Sequence, residues 1–378
     1  MNEFLKLTIS NHIKLSTNVI SVQSTIITYI IIHRLDDLIQ IPHTKKLIKR
    51  KDVCITAAWK NNLKLLQYGH QLHCPWDERI CRQAAKHGNM MLLKWARKEG
   101  CPWDETTCEA AAKKGHLQIL KWARKEGCPW DTHTCAEAAR HGQLKILKWL
   151  KKENCPWNET TCSAAAETGR MRILQWARSE GCPWDAQTCA KAAYAGKMEI
   201  LQWARREGCP WDEKTCEGAA YCINKITNIL VWVREQGCPW DANTSAAIAG
   251  KGNMNILKWV RNHGCPWDEK TCEYAAVGGH LDILQWARSE GCPWDSNTCS
   301  SAAFGGHIHI LQWARNNGCL WDELTCTLAG SRGYLEILQW ARRNGCPWNI
   351  SAIMYTASAN GRTDILEWIR KQEDYPVL

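Results

Sequence analysis

Phenylalanine is almost missing from this chain, with 2 residues in 378 against 23 tryptophans. Ordinary residue usage does not give that ratio, so the core cannot be an ordinary mixed one. Long apolar runs are also missing. The most apolar early stretch, NVISVQSTIITYIII from Asn18 to Ile32, carries Asn, Gln, Ser and Thr and falls short of the roughly 20 apolar residues that a membrane span needs. No basic start followed by a small-residue cleavage site precedes it, so a soluble, cytoplasmic chain without a membrane role is expected. Neither a glycine-rich phosphate loop, a nucleophile elbow nor a pair of carboxylates is found. No catalytic residue, enzyme activity or cofactor is therefore expected. The cysteine spacings alternate between 7 and 20 and lack the Cys-x₂₋₄-Cys step of structural zinc, so no metal site is expected.

The chain has one short unit, copied many times. Cys-Pro-Trp cysteines recur at Cys74, Cys101, Cys128, Cys155, Cys182 and Cys209, and again from Cys238 through Cys265, Cys292 and Cys346. The step is 27 residues, except for 29 between Cys209 and Cys238. A Cys-Leu-Trp copy stands at Cys319. A second cysteine series (Cys81, Cys108, Cys135 and onward) and a second tryptophan series (Trp95, Trp122, Trp149 and onward) keep the same step, with Ser245 standing once for cysteine. Such a period marks a solenoid.

One copy can be read locally. Asp104 is an N-cap whose carboxylate can accept the free amide hydrogens of a first turn. Cys108, Ala111, Ala112 and Gly115 share one face of a short helix. After a turn at Gly115 and His116, a second helix from Leu117 to about Glu126 carries Leu, Ile and Trp, and Gly127 ends it. The histidines at that turn give way to Asn, Gln, Arg, Lys or Tyr in other copies, so they are assigned to the turn and not to chemistry. One hairpin cannot bury its apolar side alone and must stack on the next. Tryptophan and buried, reduced cysteine are expected to form that core. The fold class is all-α, an α-solenoid of about twelve stacked helix-turn-helix units without β-hairpin fingers. Residues 1–53 form a basic non-repeat cap, 54–370 the array and 371–378 a tail. The extra residues of the Cys216–Trp232 unit are expected to distort its turn near Cys222–Thr227.

The run AAAKKGHLQILKWARKEGC, Ala110 to Cys128, resembles the second part of an ankyrin repeat, and the resemblance extends from about 54 to 370. Two features depart from the family: its Thr-Pro-Leu-His opening is replaced by Thr-Cys, and the unit is shorter by the β-hairpin finger. The Cys-Pro-Trp-Asp array is also similar to ankyrin-type proteins of large DNA viruses of amoebae, which implies a viral protein in host cytoplasm. The resemblance implies a monomeric, non-catalytic protein-binding scaffold that uses its concave groove. In that family the position after the Ala-Ala pair faces the groove. Here it is basic early and aromatic or apolar later. Lys86, Lys113, Lys114, Arg140, Tyr194, Tyr221, Val277 and Phe304 are the expected partner-binding residues, facing an acidic-apolar protein segment.

Charge also repeats. An arginine (Arg97, Arg124, Arg178, Arg205 and onward, with Lys151 once) ends each second helix, and an aspartate (Asp104, Asp131, Asp185 and onward) opens the next repeat. Because each arginine has an aspartate at the same period, the two are expected to pair. The arginines also favour the negative helix end. A net charge of +10 would suit a phosphate-tracking stripe, so a nucleic-acid-binding solenoid is the alternative, but nucleic acid is not the expected partner. An adaptor that recruits a partner to host ubiquitin ligase is a further alternative, although residues 1–53 lack the Leu-Pro-x-Glu opening.

Overall fold

The computed structural model describes residues 51–71, 73–222 and 226–372, and most of the proposed cap and of the tail lies outside them. The described residues form 24 helices and no strand. The chain divides into two compact units, Met1–Trp184 and Asp185–Leu378. Each unit is a stack of helical hairpins, as the solenoid reading requires.

Glu105–Lys114 and Leu117–Lys125 form one such hairpin. It begins because Asp104, in an extended conformation, accepts the Thr106 N–H on its carboxylate at 3.1 Å. The first helix stops at Gly115, whose φ of +86° is the left-handed conformation that glycine adopts without a Cβ clash. The second helix stops the same way at Gly127, where the Cys128 N–H reaches back to the Ala123 carbonyl at 2.9 Å. The loop cysteine then joins consecutive loops, its thiol donating to the Asp104 carbonyl at 3.4 Å.

Side-chain size sets how the hairpins stack. The first helix buries Cys108, Ala110, Ala111 and Ala112, whereas the second buries Ile119, Leu120 and Ala123. Small side chains let first helices approach closely, and in both units the tightest approach between repeats is first helix to first helix. Gly218 is an extreme case, since a Cβ there would lie 2.7 Å from the Ala190 carbonyl oxygen. Bulkier residues hold the second helices apart, so within each unit the first helices line the inner side of the curve. In most repeats the residue after the turn glycine is a lid on the previous turn: the His116 ring covers Gly88, and the His307 ring covers Gly279, whereas Gly196 is met by Cys222 at the period break. A lid needs bulk and no particular chemistry, which explains why Gln143 and Tyr334 serve equally over Gly115 and Gly306.

All 22 cysteines are buried as thiols. A thiolate at Cys128 would face the Cys108 sulfur in a dry site, so the partner thiol first and burial second push its pKa up. The tryptophans depart from expectation. Those of the loop and second-helix series are half-buried and Trp59 is exposed, whereas the smaller Leu120, Leu147 and Leu174 are sealed completely. The aliphatic stripe of the second helix already fills the space between helices, leaving the indoles to cover its outer rim. At the period break, the first helix ends at Tyr221, and Cys222 is extended (φ −71°, ψ 107°) where other copies keep a near-helical residue, such as Ala195 (φ −83°, ψ 5°), before the left-handed glycine. The second helix resumes as Ile226–Glu235. The centre of the expected distorted turn, residues 223–225, lies outside the described residues.

Candidate functional site

The expected groove residues lie at the C-terminal ends of first helices. In the first unit, Lys86 and Lys113 flank one cleft of about 460 Å³ with Arg82, Glu109, His133 and Glu137. Its positive charge is largely compensated. Lys113 Nζ lies 3.1 Å from Glu137 Oε2, and Arg140 pairs with both Glu137 and Glu167. Lys114, one residue on, is exposed outside this network. Burial, and then the nearby Asp131 carboxylate, push the Glu109 carboxyl pKa up. The groove of this unit is therefore a mixed-charge lattice with little net charge.

The second unit holds the aromatic members. Tyr194 is 54% exposed, and its ring centroid is 6.1 Å from that of Tyr221. Burial and the neighbouring Tyr274 push the Tyr221 hydroxyl up to about 12. Gly250 carries no side chain in this row, and Tyr274 of the next helix comes in against it, with its Cβ 3.2 Å from where a Gly250 Cβ would stand. Val277 and Phe304 are half-buried, and the Arg332 guanidinium covers the Phe304 ring at 4.3 Å. Tyr274 was not apparent as part of this row from sequence, because it fills a gap left by another repeat.

The second-helix face is organised differently from the expected arginine–aspartate pairing. Aspartates are engaged as N-caps, as Asp104 and Asp131 show. Each arginine instead clamps its own loop. Arg124 Nη1 donates to the Cys128 carbonyl at 2.5 Å, and its guanidinium lies 3.9 Å from the Trp130 ring centroid. The Trp130 ring meets Trp149 of the next repeat edge-on at 5.8 Å. The clamp recurs in the second unit, for example Arg261 on Trp267 at 3.9 Å and Arg315 on Trp321 at 4.1 Å. Lys151 takes the same place over Trp157 at 4.1 Å. The charge is thus held at the surface against an indole and not neutralised by a carboxylate.

In the first unit extra lysines flank this clamp. Lys94, Arg97 and Lys98 form one triad; Lys121, Arg124 and Lys125 the next; Lys148, Lys151 and Lys152 the third. At the positions of Lys94, Lys121 and Lys148, the second unit has Gln202, Gln285, Gln312 and Gln339, with Val231 at the period break and one lysine, Lys258, around the same arginine–tryptophan clamp. The fold does not need these lysines. Like charges four apart on a helix are mildly destabilising, so each triad costs stability. Residues 51–184 hold 22 Lys and Arg against 14 Asp and Glu, whereas 185–378 hold 19 against 21. Lys121, Arg124, Lys125, Trp130, Trp149 and Glu153 line one open cleft of about 440 Å³ on this face. The triads were legible in sequence as i, i+3, i+4 basic residues in three successive copies, but only Arg97, Arg124 and Lys151 were singled out, as helix-end charge.

Among the described residues no group of three or more His, Cys, Asp or Glu could hold a metal ion, and no helix is long and apolar enough to cross a membrane. No protein-family model and no curated protein matches the chain. Solved structures similar to it include the pentatricopeptide repeat protein PPR10 from maize, at 14% identity over 100% of this chain and 68% of that one, with a TM-score of 0.37. PPR10 in complex with an 18-nt psaJ RNA element is also similar, at 13% identity over 97% of this chain and 67% of that one, with a TM-score of 0.31. Scores this low carry no argument about this chain's own ligand. This chain's own geometry, however, removes the ground for setting nucleic acid aside. The expectation that nucleic acid is not a partner is therefore corrected: it required arginines neutralised by aspartates, and the arginines are clamped on tryptophan instead.

Proposed function

We propose that this chain is a non-catalytic helical-repeat binding module whose ligand is a nucleic acid. The observation that carries this reading is the lysine-enriched, tryptophan-lined second-helix face of residues 78–184, where surface cations alternate with half-buried indoles. A polyanion is the matching partner, because a row of uncompensated cations gains affinity by releasing the counterions of a phosphate backbone. The first-helix face of the same unit is less suited, since Glu137 and Glu167 already hold Lys113 and Arg140. The Gly-His-Leu-x-Ile-Leu turn supports reading the repeats as shortened ankyrin-type hairpins, which adds nothing about the ligand.

A protein-binding role is the second reading, favoured by the exposed Tyr194 beside Tyr221 in the second unit. Gel retardation of labelled RNA and DNA by the purified chain, at low and at physiological salt, tests the leading reading. Retardation that weakens steeply with salt is the expected result, and no retardation at low salt contradicts it.

A further inference from the structure

The basic face and the tryptophans it carries suggest more than a generic affinity for phosphate, and the argument here rests on the nucleic-acid reading above. A duplex presents phosphates and conceals its base faces. A single strand presents both, and proteins that hold one combine a backbone-tracking positive surface with aromatic rings on which bases stack. The second-helix face of the first unit has both components in register. In the cleft between the repeats that carry Trp130 and Trp149, the two indoles share the wall with three cations, Lys121, Arg124 and Lys125, against one carboxylate, Glu153. The indoles meet edge-to-face at 5.8 Å, so their planes are not closed against each other. The cleft volume of about 440 Å³ lies in the range that admits a small planar ligand.

The same pattern continues to either side. Trp103 meets Trp122 edge-on at 5.8 Å, with Lys94 Nζ 5.8 Å from the Trp122 ring. Lys148 Nζ stands equally 5.8 Å from the Trp176 ring. A lysine from one repeat therefore lies over the tryptophan of the next. The tryptophans and arginines alone are explained by loop clamping, because the second unit has them too. Lysines in three successive repeats are not, since the second unit has a single one, Lys258, whose Nζ lies 5.6 Å from the Trp286 ring, with Val231 and Gln285 in the repeats to either side; the three occur where they would meet a strand running along successive repeats.

We infer that the second-helix face of residues 78–184 is a binding site for single-stranded nucleic acid, with phosphates on the lysine triads and bases against the exposed parts of the loop and helix tryptophans. Recognition of this kind tolerates sequence, since every base has a π-face. The first-helix groove of the same unit takes no part in it.

The test uses the full chain and a fluorescent oligodeoxythymidine of about 16 nucleotides, a length one such surface could accommodate, followed by anisotropy. One variant combines Lys94→Gln, Lys121→Gln and Lys148→Gln, changes the hairpin tolerates because Gln175, Gln202, Gln285, Gln312 and Gln339 stand at the equivalent positions. A control carries Lys86→Gln and Lys114→Gln on the first-helix face. The expected result is a loss of about 30-fold or more in affinity near 0.1 M salt for the triple variant. The control should lie within about threefold of wild type, and unlabelled single strand should compete about tenfold better than a duplex of equal length. Equal competition by duplex overturns the single-strand assignment. Loss of binding in the control with an unaffected triple variant overturns the choice of face and leaves the nucleic-acid reading standing. If no nucleic acid binds while anionic vesicles or an acidic peptide do, both the site and the nucleic-acid reading fail.

Discussion

Replacing Arg124 by alanine separates the loop clamp from the aspartate pairing that the sequence suggests. Arg124 makes two contacts that alanine removes, the Nη1 hydrogen bond to the Cys128 carbonyl and the stack on Trp130. A hydrogen bond from a charged group contributes about 1.5–3 kcal/mol, and an exposed cation–π contact adds about 0.5–1 kcal/mol. Arg124 is partly exposed, so solvent screening places the sum near the bottom of that range, about 2 kcal/mol. Arg124→Lys should lose only about half as much, because Lys151 makes the equivalent ring contact over Trp157. Asp131→Asn should cost no more than about 0.5 kcal/mol, since Asn158 caps its own helix at 3.1 Å with the same geometry. A repeat stack need not unfold in one step. The assay is therefore urea unfolding combined with hydrogen exchange across the loop 128–131. Losses at Arg124 and Asp131 should add in the double variant. A cost at Asp131 equal to that at Arg124, with strong non-additivity between them, would show a salt bridge and refute the clamp.

Other outcomes follow from particular residues. Gly279→Ala should destabilise by about 1–3 kcal/mol, because Gly279 has φ +85° and a Cβ there meets the His307 ring at 2.7 Å. Gly127→Asn should be much milder in a thermal melt, since its Cβ meets nothing within 4 Å and Asn154 natively adopts φ +58°; equal losses would remove the lid interpretation. Burial pushes Cys265 up to about 11 and Tyr221 up to about 12. Groups whose folded pKa is raised give stability that is complete below their unfolded values and lost as pH rises through the folded ones. The urea midpoint should therefore hold to about pH 9 and fall beyond it, and a midpoint that rises between pH 9 and 11 contradicts the buried-thiol core. Trp203→Ala should cost about 2–3 kcal/mol, less than the roughly 3–5 of a sealed aromatic, because this tryptophan is only half-buried; a larger loss by denaturant titration would return it to the core.

The hairpins were legible because each has a local cause written into the sequence. Asp104 caps the helix that follows it, Gly115 and Gly127 take the left-handed conformation, and the alanines mark the face where helices meet. The tryptophans were read as core because periodicity places a residue on a face without saying how far a neighbour covers it. Ile119 and Leu120 settle that in three dimensions. Arg124 and Asp131 share a period but serve different ends of different helices, and sequence spacing alone suggested a pair. The Tyr274 side chain could not be assigned to the Tyr194–Tyr221 row from its own repeat, since only the missing side chain at Gly250 admits it. The lysine triads were visible as residues but had no meaning until Arg97, Arg124 and their counterparts were explained without them.

The most direct test is the salt dependence of single-strand binding by wild type and by a variant carrying Lys98→Ser, Lys125→Ser and Lys152→Asn, which introduces the residue types found at the equivalent Ser289 and Asn262. Each phosphate contact contributes about 0.7 to the slope of log affinity against log salt. Loss of three contacts should flatten that slope by about 2 while the thermal melt is unchanged or slightly raised. A variant with the wild-type slope would show that these lysines meet no phosphate, and the second-helix face would not be the binding surface.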